Sequence, residues 1–327
     1  MKIGIIGFYH QLNAGDDRFM AVWTRLLFGH DLTFITHTHA CRPDFLRSFD
    51  LLVIGGGGMV IDDYGVWHAL PGLLRRRPPP MLIAGLEINR VATNYLPSLR
   101  RLLEHCLMIS LRQAPRDPEV AAMAAACGAT IDTDLAWVHP LRVERRPSPG
   151  RIAFNLAPCH WQPFEPADWR QSARELDIEP WPLCFGKNDD RLPLGLAEGT
   201  LRPAEFDTTP LQRCEFVVAA RYHALVFALQ NAVPCIGIAY DHKVARLMKS
   251  FGLDAHLLPL SEPEGLPRAI TELRDASPGL SDRIRDHADR HVATAAVMAE
   301  RIRTCVAEVD AARSPRRFSR FPFLFRG

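Results

Sequence analysis

The chain has 327 residues, of which 47% are hydrophobic and 23% are charged, and its formal net charge is +2. This length favours two domains, the composition excludes a disordered chain, and the small charge does not favour a nucleic-acid partner. The apolar start lacks the pattern of a secretion signal, and no apolar run approaches the roughly 18 residues of a membrane span, so we expect a cytoplasmic protein.

The first part of the chain alternates short apolar runs with helical patterns, which is typical of a parallel sheet with helical crossovers. Strands are predicted over 2–7, 31–36, 50–54, 81–85 and 107–110, and a helix over 16–28. Asp16 is suited to capping that helix. The third strand is predicted to end at a run of four glycines, 55–58.

The same pattern restarts after a basic, proline-bearing stretch, which reads as a linker. Strands are predicted over 152–156, 181–183, 216–219 and 234–238, with helices from Trp169, capped by Asp168, and over 223–230. The predicted organisation is an N-terminal Rossmann-like lobe over 1–140, a linker over 141–150 and a C-terminal Rossmann-like lobe over 151–281. A helical C-terminal segment with a basic-aromatic tail is predicted over 282–327. Ligands of such α/β lobes bind at the strand ends, here between the lobes.

The end of the chain, 316–326, mixes arginines with phenylalanines. Two interpretations are open: peripheral contact with an anionic membrane, which would place the protein at the inner face of that membrane, or a frayed or lobe-packing tail. The second is favoured.

Two candidate binding segments follow strands of the N-terminal lobe. Asn13, Gly15 and Asp16 open the first helix, where backbone N–H groups face a ligand, although an ordinary capped turn explains them equally well. Gly56 and Gly57, with Asp62 nearby, lie in the glycine run. The run either lets a phosphate or a sugar approach the backbone closely or forms a purely structural loop. The run matches neither a P-loop nor the GxGxxG pattern.

The strongest candidate lies in the C-terminal lobe, where polar residues follow two neighbouring strands. Arg221 provides a charged fork suited to phosphate or carboxylate, and Lys243, close to Tyr240, provides a movable charge. His223 is suited to moving a proton near neutral pH. The eight scattered cysteines form no CxxC pair, so no metal is expected.

Over roughly residues 3–250, the order and spacing of these residues resemble those of the polysaccharide pyruvyl transferase family. The matching pieces are Asn13-x-Gly15-Asp16, the glycine run with Asp62, Arg221-x-His223, Tyr240-x-x-Lys243 and Asp134-Leu135-Ala136. The resemblance implies a GT-B-like fold of two Rossmann-like lobes, the N-terminal one for the acceptor and the C-terminal one for the donor. It also implies transfer of a pyruvyl group from phosphoenolpyruvate to a sugar of a cell-surface or exported glycan, as a ketal and without a cofactor.

One position departs from the family pattern. The family commonly has Ser-x-Arg-Asp after the last strand of the first lobe, whereas this chain has Ser110-Leu111-Arg112-Gln113. The resemblance makes Arg112 a substrate-binding candidate, with a glycan or lipid-linked oligosaccharide as acceptor. Two alternatives stay open: a GT-B glycosyltransferase that uses a nucleotide sugar, and a non-catalytic glycan-binding relative.

Overall fold

The computed structural model describes residues 1–159, 164–186, 188–197 and 207–313. These residues form two parallel sheets with helices packed around them, which confirms the predicted α/β architecture of two lobes. The sheets lie on either side of 141–150 in the chain.

The N-terminal sheet has six parallel strands in the order β2-β1-β3-β4-β5-β6. The strands are β1 Lys2–Gly7, β2 Asp31–Thr36, β3 Leu51–Ile61, β4 Met81–Val91, β5 Cys106–Leu111 and β6 Thr130–Ile131. The helices are α1 Ala14–Leu26, α2 Pro43–Arg47, α3 Leu70–Leu74, α4 Leu96–His105 and α5 Pro118–Ala126, with 3₁₀ turns at Gly65–Ala69, Thr93–Tyr95 and Leu135–Trp137. Strands buried on both faces explain the continuous apolar runs of the sequence.

The C-terminal sheet has five parallel strands in the order β11-β10-β9-β7-β8. The strands are β7 Ile152–Asn155, β8 Ile178–Pro180, β9 Phe216–Ala219, β10 Cys235–Ala239 and β11 Leu257–Pro259. The helices are α6 Pro166–Ser172, α7 Arg191–Leu194, α8 Thr209–Arg213, α9 Tyr222–Gln230, α10 His242–Ser250 and α11 Leu266–Ala276, with 3₁₀ turns at Asp254–His256 and Pro263–Gly265. Helix α9 is buried from His223 to Gln230 and forms the centre of this lobe.

The long helix α12, Leu280–Arg313, connects the second lobe back to the first. Met298 accepts a hydrogen bond from the Ser110 hydroxyl at the end of β5, with 3.1 Å between Sδ and Oγ. Arg301 Nη1 lies 3.1 Å from Asp132 Oδ2. Because α12 also packs against α9, it stabilises the contact between the lobes.

Four local predictions were wrong. The glycine run does not end β3, which continues to Ile61 beside the equally long β4. Asn13, not Asp16, caps α1, since its side chain accepts from Gly15 N. Helix α6 begins at Pro166 with Glu165 as its cap, so Asp168 lies inside the first turn. The short strand β8 lies at Ile178–Pro180 rather than over 181–183, because Pro180 is the last residue that pairs with β7.

None of the described helices combines the length and apolar character that crossing a bilayer requires. The basic and aromatic segment 316–326 lies outside the described residues.

Candidate active site

The lobes meet where their strands end. The loop before α1 pairs with the segment after β8: Ala14 N donates to Leu183 O at 2.8 Å, and Phe185 N donates to Leu12 O at 2.9 Å. These backbone bonds place the start of α1 beside the start of α9. The polar strand ends of both lobes therefore face one cleft.

A cavity of about 240 Å³ occupies this cleft. We call its two sides the N-terminal wall and the C-terminal wall. The N-terminal wall consists of Phe8, Asn13, Asp16, His37, Gly58, Val60, Asn89 and Arg112. The C-terminal wall consists of Pro158, Leu183, Asn188, Arg221, Tyr222, His223, Tyr240 and Lys243. Seven of the eleven predicted site residues are thus brought together: Asn13, Asp16, Arg112, Arg221, His223, Tyr240 and Lys243.

The other four predicted residues lie outside the walls. Gly56 and Gly57 have φ of +88° and +79° and pack against α1; a Cβ at Gly57 would lie 2.4 Å from Asp16 Oδ1. These glycines therefore serve the close approach of α1 to β3. Gly15 has a similar role, because a Cβ there would lie 1.9 Å from His223 Nδ1. The Asp62 carboxylate accepts from Tyr64 N at 3.0 Å in the following turn.

Arg221 is held by a buried acid in its own lobe. Its Nε and Nη2 donate to Asp190 Oδ1 at 2.9 and 2.6 Å, and Nη2 also donates to Asn188 O. Asp190 is fully buried, and its other oxygen accepts from Asn155 Nδ2 at 3.1 Å. Burial alone would lower the pKa of Arg221, but the charge of Asp190 raises that pKa, so the guanidinium stays charged. Nη1 makes no hydrogen bond with a described residue and remains available to an anion.

His223 lies in the first turn of α9, between the two lobes. Its Nε2 is buried, has no hydrogen-bond partner among the described residues and lies 3.8 Å from Asp134 Oδ2. Burial acts to raise the pKa of Asp134, yet the neighbouring His223 and the charge of Arg112 lower it well below its usual range. An imidazole beside an ionised carboxylate is suited to accept a proton, because the carboxylate stabilises the resulting cation.

The charge of Arg112 is matched by two buried acids. Nη1 donates to Asp134 at 2.7 Å and Nη2 donates to Glu87, while the guanidinium lies 4.6 Å from the centre of the Tyr222 ring. Burial lowers the pKa of Arg112, but Glu87 and Asp134 raise it further. Glu87 also contacts His242 of the other lobe, with 3.1 Å between Oε1 and Nε2. Arg112 therefore orders the lobe interface and brings no surplus positive charge.

Lys243 lies in the first turn of α10 and has weaker partners than the two arginines. Its Nζ lies 3.9 Å from Asp241 Oδ2 and 5.4 Å from the centre of the Tyr240 ring. Burial acts to lower the pKa of Lys243, but Tyr240 and Asp241 raise it above its ordinary value. The ammonium is therefore charged at neutral pH and close to the cavity.

The remaining side of the N-terminal wall is largely uncharged. Phe8 and His37 pack together with 5.7 Å between ring centres, next to Val60 and Asn89. Burial lowers the pKa of His37 to about 4, so the imidazole is neutral at pH 7. Aromatic faces with a few hydrogen-bonding groups are typical of sites for neutral organic ligands.

Three acids of the site were not among the predicted site residues: Glu87, Asp134 and Asp190. Glu87 stands in an apolar strand, and a charged residue in such a strand is a usable signal, because glutamate is almost never fully buried without a partner. Asp134 matches the Asp-x-Ala pattern of the family resemblance, but no role in the site is predicted for it. Asp190 follows the irregular segment after β8, and no local pattern points to it.

The described residues contain no group of three or more His, Cys, Asp or Glu side chains placed to hold a metal ion. The described residues that line the cavity carry three cationic side chains, two imidazoles and one carboxyl.

Comparisons with known proteins agree with the resemblance seen in the sequence. Residues 157–242 match the family model of polysaccharide pyruvyl transferase, which confirms the resemblance over this part of the chain. The match includes Arg221, His223 and Tyr240, and it ends one residue before Lys243.

Several solved glycosyltransferases are similar to this chain over most of its length. The spinosyn rhamnosyltransferase SpnG, complexed with spinosyn aglycone, is 14% identical with a TM-score of 0.49, covering 93% of this chain and 99% of its own. The glycosyltransferase of kitacinnamycin is 11% identical with a TM-score of 0.47, covering 93% and 98%. SsfS6 of Streptomyces sp. SF2575 is 11% identical with a TM-score of 0.45, covering 93% and 99%.

Proposed function

We propose that this protein transfers a pyruvyl group from phosphoenolpyruvate to a sugar of a cell-surface or exported glycan and forms a ketal. One observation carries the proposal: the C-terminal wall presents Arg221 and Lys243 to the cavity, and no carboxylate among the described residues lines that wall. The family match over 157–242 supports the reaction class. Phosphoenolpyruvate carries a phosphate and a carboxylate, which a guanidinium and an ammonium bind well.

The size of the cavity also favours a small donor. Pockets for drug-sized ligands usually measure roughly 300–1,000 Å³, and this cavity measures about 240 Å³. A nucleotide sugar would fill far more space, and among the described residues the C-terminal wall offers it no glutamate that could hold a ribose. The acceptor sugar is assigned to the uncharged side of the N-terminal wall, at Phe8, His37 and Asn89.

The reaction requires a proton on the methylene carbon of the donor, which makes the adjacent carbon electrophilic. A sugar hydroxyl attacks that carbon, phosphate leaves, and a second hydroxyl closes the ketal. We assign acceptance of the hydroxyl proton to His223, because its side chain lines the cavity beside the ionised Asp134. Proton transfer of this kind typically contributes about 10²–10⁴-fold to the rate.

The acceptor is a glycan or a lipid-linked oligosaccharide in this proposal. A lipid-linked acceptor would lie at the inner face of the membrane, and the segment 316–326 is the candidate for membrane contact. Deleting that segment is then expected to lower binding to anionic lipid vesicles without changing donor affinity. Equal vesicle binding by both forms would remove the membrane part of the proposal only.

The donor is tested by thermal unfolding with single ligands. Phosphoenolpyruvate at about 100 times its Kd should stabilise the protein by roughly 2.7 kcal/mol. Pyruvate and inorganic phosphate, which each carry one of its charged groups, should stabilise less. Stabilisation by UDP-glucose and not by phosphoenolpyruvate would support the glycosyltransferase alternative. Binding of phosphoenolpyruvate without phosphate release, across a panel of glycan acceptors, would support the non-catalytic alternative.

A further inference from the structure

Among the described residues, four acidic side chains are buried in or beside the cleft, and three of them have an arginine partner. Glu87 and Asp134 pair with Arg112, and Asp190 pairs with Arg221. Asp16 is 9% exposed and has no such partner among the described residues. Its carboxyl accepts one hydrogen bond, from the neutral amide of Asn13, with 2.8 Å between Nδ2 and Oδ2. A buried carboxyl without an ion pair favours its protonated form.

The groups around Asp16 also leave its protonated form favoured. The groups that face it are Tyr9 from the loop after β1, Arg112 from the end of β5, Asp134 from the segment before Leu135–Trp137, His223 from α9 and Lys243 from α10. Burial raises the pKa of Asp16, and the lowering by His223, Arg112 and Lys243 does not overcome that effect. A bound donor would add further negative charge and favour the protonated carboxyl still more.

The position of Asp16 suits proton delivery. It lines the cavity from the start of α1, with Oδ1 next to Gly57, where the missing side chain leaves room for the carboxyl. His223 lines the same cavity from the other lobe. The two groups therefore approach a ligand from different sides.

Resting on the proposed function, we propose that Asp16 is the general acid that protonates the methylene carbon of phosphoenolpyruvate, while His223 is the base that accepts the proton of the attacking sugar hydroxyl. The electrons of the carbon–carbon double bond form the new C–H bond, and the adjacent carbon becomes cationic as Asp16 becomes a carboxylate. The hydroxyl oxygen bonds to that carbon, and its proton passes to His223. The bond between this carbon and the phosphate oxygen then breaks, phosphate leaves with the electron pair, and His223 returns its proton to it. The second hydroxyl forms the ketal and reprotonates Asp16.

The roles proposed for Asp16 and His223 also suit the charges that develop on the donor during the reaction. A carboxyl that is neutral when the multiply anionic donor binds does not repel it. The same group becomes negative at the moment when the donor carbon becomes positive, which stabilises that state. His223 in turn becomes cationic beside the carboxylate of Asp134.

A test with the donor alone examines the protonation of Asp16. Infrared difference spectra at pH 7, with and without phosphoenolpyruvate, are compared for the wild type, for Asp16→Asn and for Asp44→Asn, which removes an exposed acid. The carbonyl stretch of a protonated carboxyl should appear in the donor complexes of the wild type and of Asp44→Asn and be absent in Asp16→Asn. A wild-type complex without that band would overturn the proposal. A wild type that binds no phosphoenolpyruvate would instead overturn the proposed function.

Turnover then tests the role in catalysis. With 4-nitrophenyl glycosides that carry a free 4,6-diol, or with whichever glycan the wild type pyruvylates, Asp16→Asn should lower kcat by about 10²–10⁴-fold while donor affinity stays within a few-fold. Asp44→Asn should match the wild type, and a folded Asp16→Glu should exceed Asp16→Asn, because it retains a proton donor. Wild-type kcat in Asp16→Asn would exclude the acid role, and so would a loss confined to donor affinity.

Discussion

The two walls of the cavity differ in how their charges are balanced. On the C-terminal wall, Arg221 has one acidic partner and Lys243 has only a distant one, so both keep attraction for an anion. On the N-terminal wall, Arg112 is surrounded by two buried acids, and Phe8 and His37 are neutral. The number of cations in a cavity therefore does not identify a binding site for anions. The acidic partners of each cation decide whether its charge attracts a ligand or stabilises the fold.

The largest effect is expected where the walls meet. His223→Ala should lower kcat by about 10²–10⁴-fold, because it removes the proposed base, while the fold survives. His39→Ala is the control and should match the wild type, since His39 is exposed and lies outside the walls. Steady-state phosphate release measures both. Unchanged turnover in His223→Ala would end the assignment of that residue.

A second substitution tests whether Arg112 is structural. Glu87→Gln removes one of its two acidic partners, and breaking a buried ion pair typically costs about 3–5 kcal/mol. We expect a loss of that order in the free energy of unfolding, measured with denaturant. Glu104→Gln, on the exposed side of α4, should leave stability unchanged. A fully stable Glu87→Gln variant would show that Arg112 has charge to spare for a ligand.

A third substitution tests the C-terminal wall. Lys243→Ala should weaken phosphoenolpyruvate binding by about 10–100-fold, the equivalent of a charge-assisted hydrogen bond worth roughly 1.5–3 kcal/mol. Lys249→Ala, on the exposed face of the same helix, should bind like the wild type. Calorimetric titration measures both affinities. Equal affinities would remove Lys243 from the donor site.

The smallest effect concerns the neutral histidine of the N-terminal wall. Because burial lowers the pKa of His37 to about 4, the unfolded chain binds more protons than the folded one as the pH falls from 6.5 towards 4. The contribution of His37 to stability is therefore complete above pH 6.5 and lost across that window. Between pH 6.5 and 4, the free energy of unfolding should fall less in His37→Gln than in the wild type. In His39→Gln, which replaces an exposed histidine, it should fall as much as in the wild type. The same fall in all three proteins would indicate a charged His37.

Most strands and helices could be predicted from the sequence, and so could the cluster of Arg221, His223, Tyr240 and Lys243. Both are local properties: an apolar run marks a buried strand, and polar residues directly after it lie at the carboxyl end of the sheet. The family resemblance depended on the same short segments.

Which of these residues come into contact, and how far each is buried and charged, follows only from the tertiary structure. The pairing of Arg112 with Glu87 and Asp134 depends on β4 lying beside β5, and the approach of Gly15 to His223 depends on how the lobes dock. Gly56 and Gly57 lie close to α1 and outside the walls of the cavity, and β3 continues through them. Charge balance and burial arise from contacts between residues far apart in the chain, and no local pattern encodes those contacts.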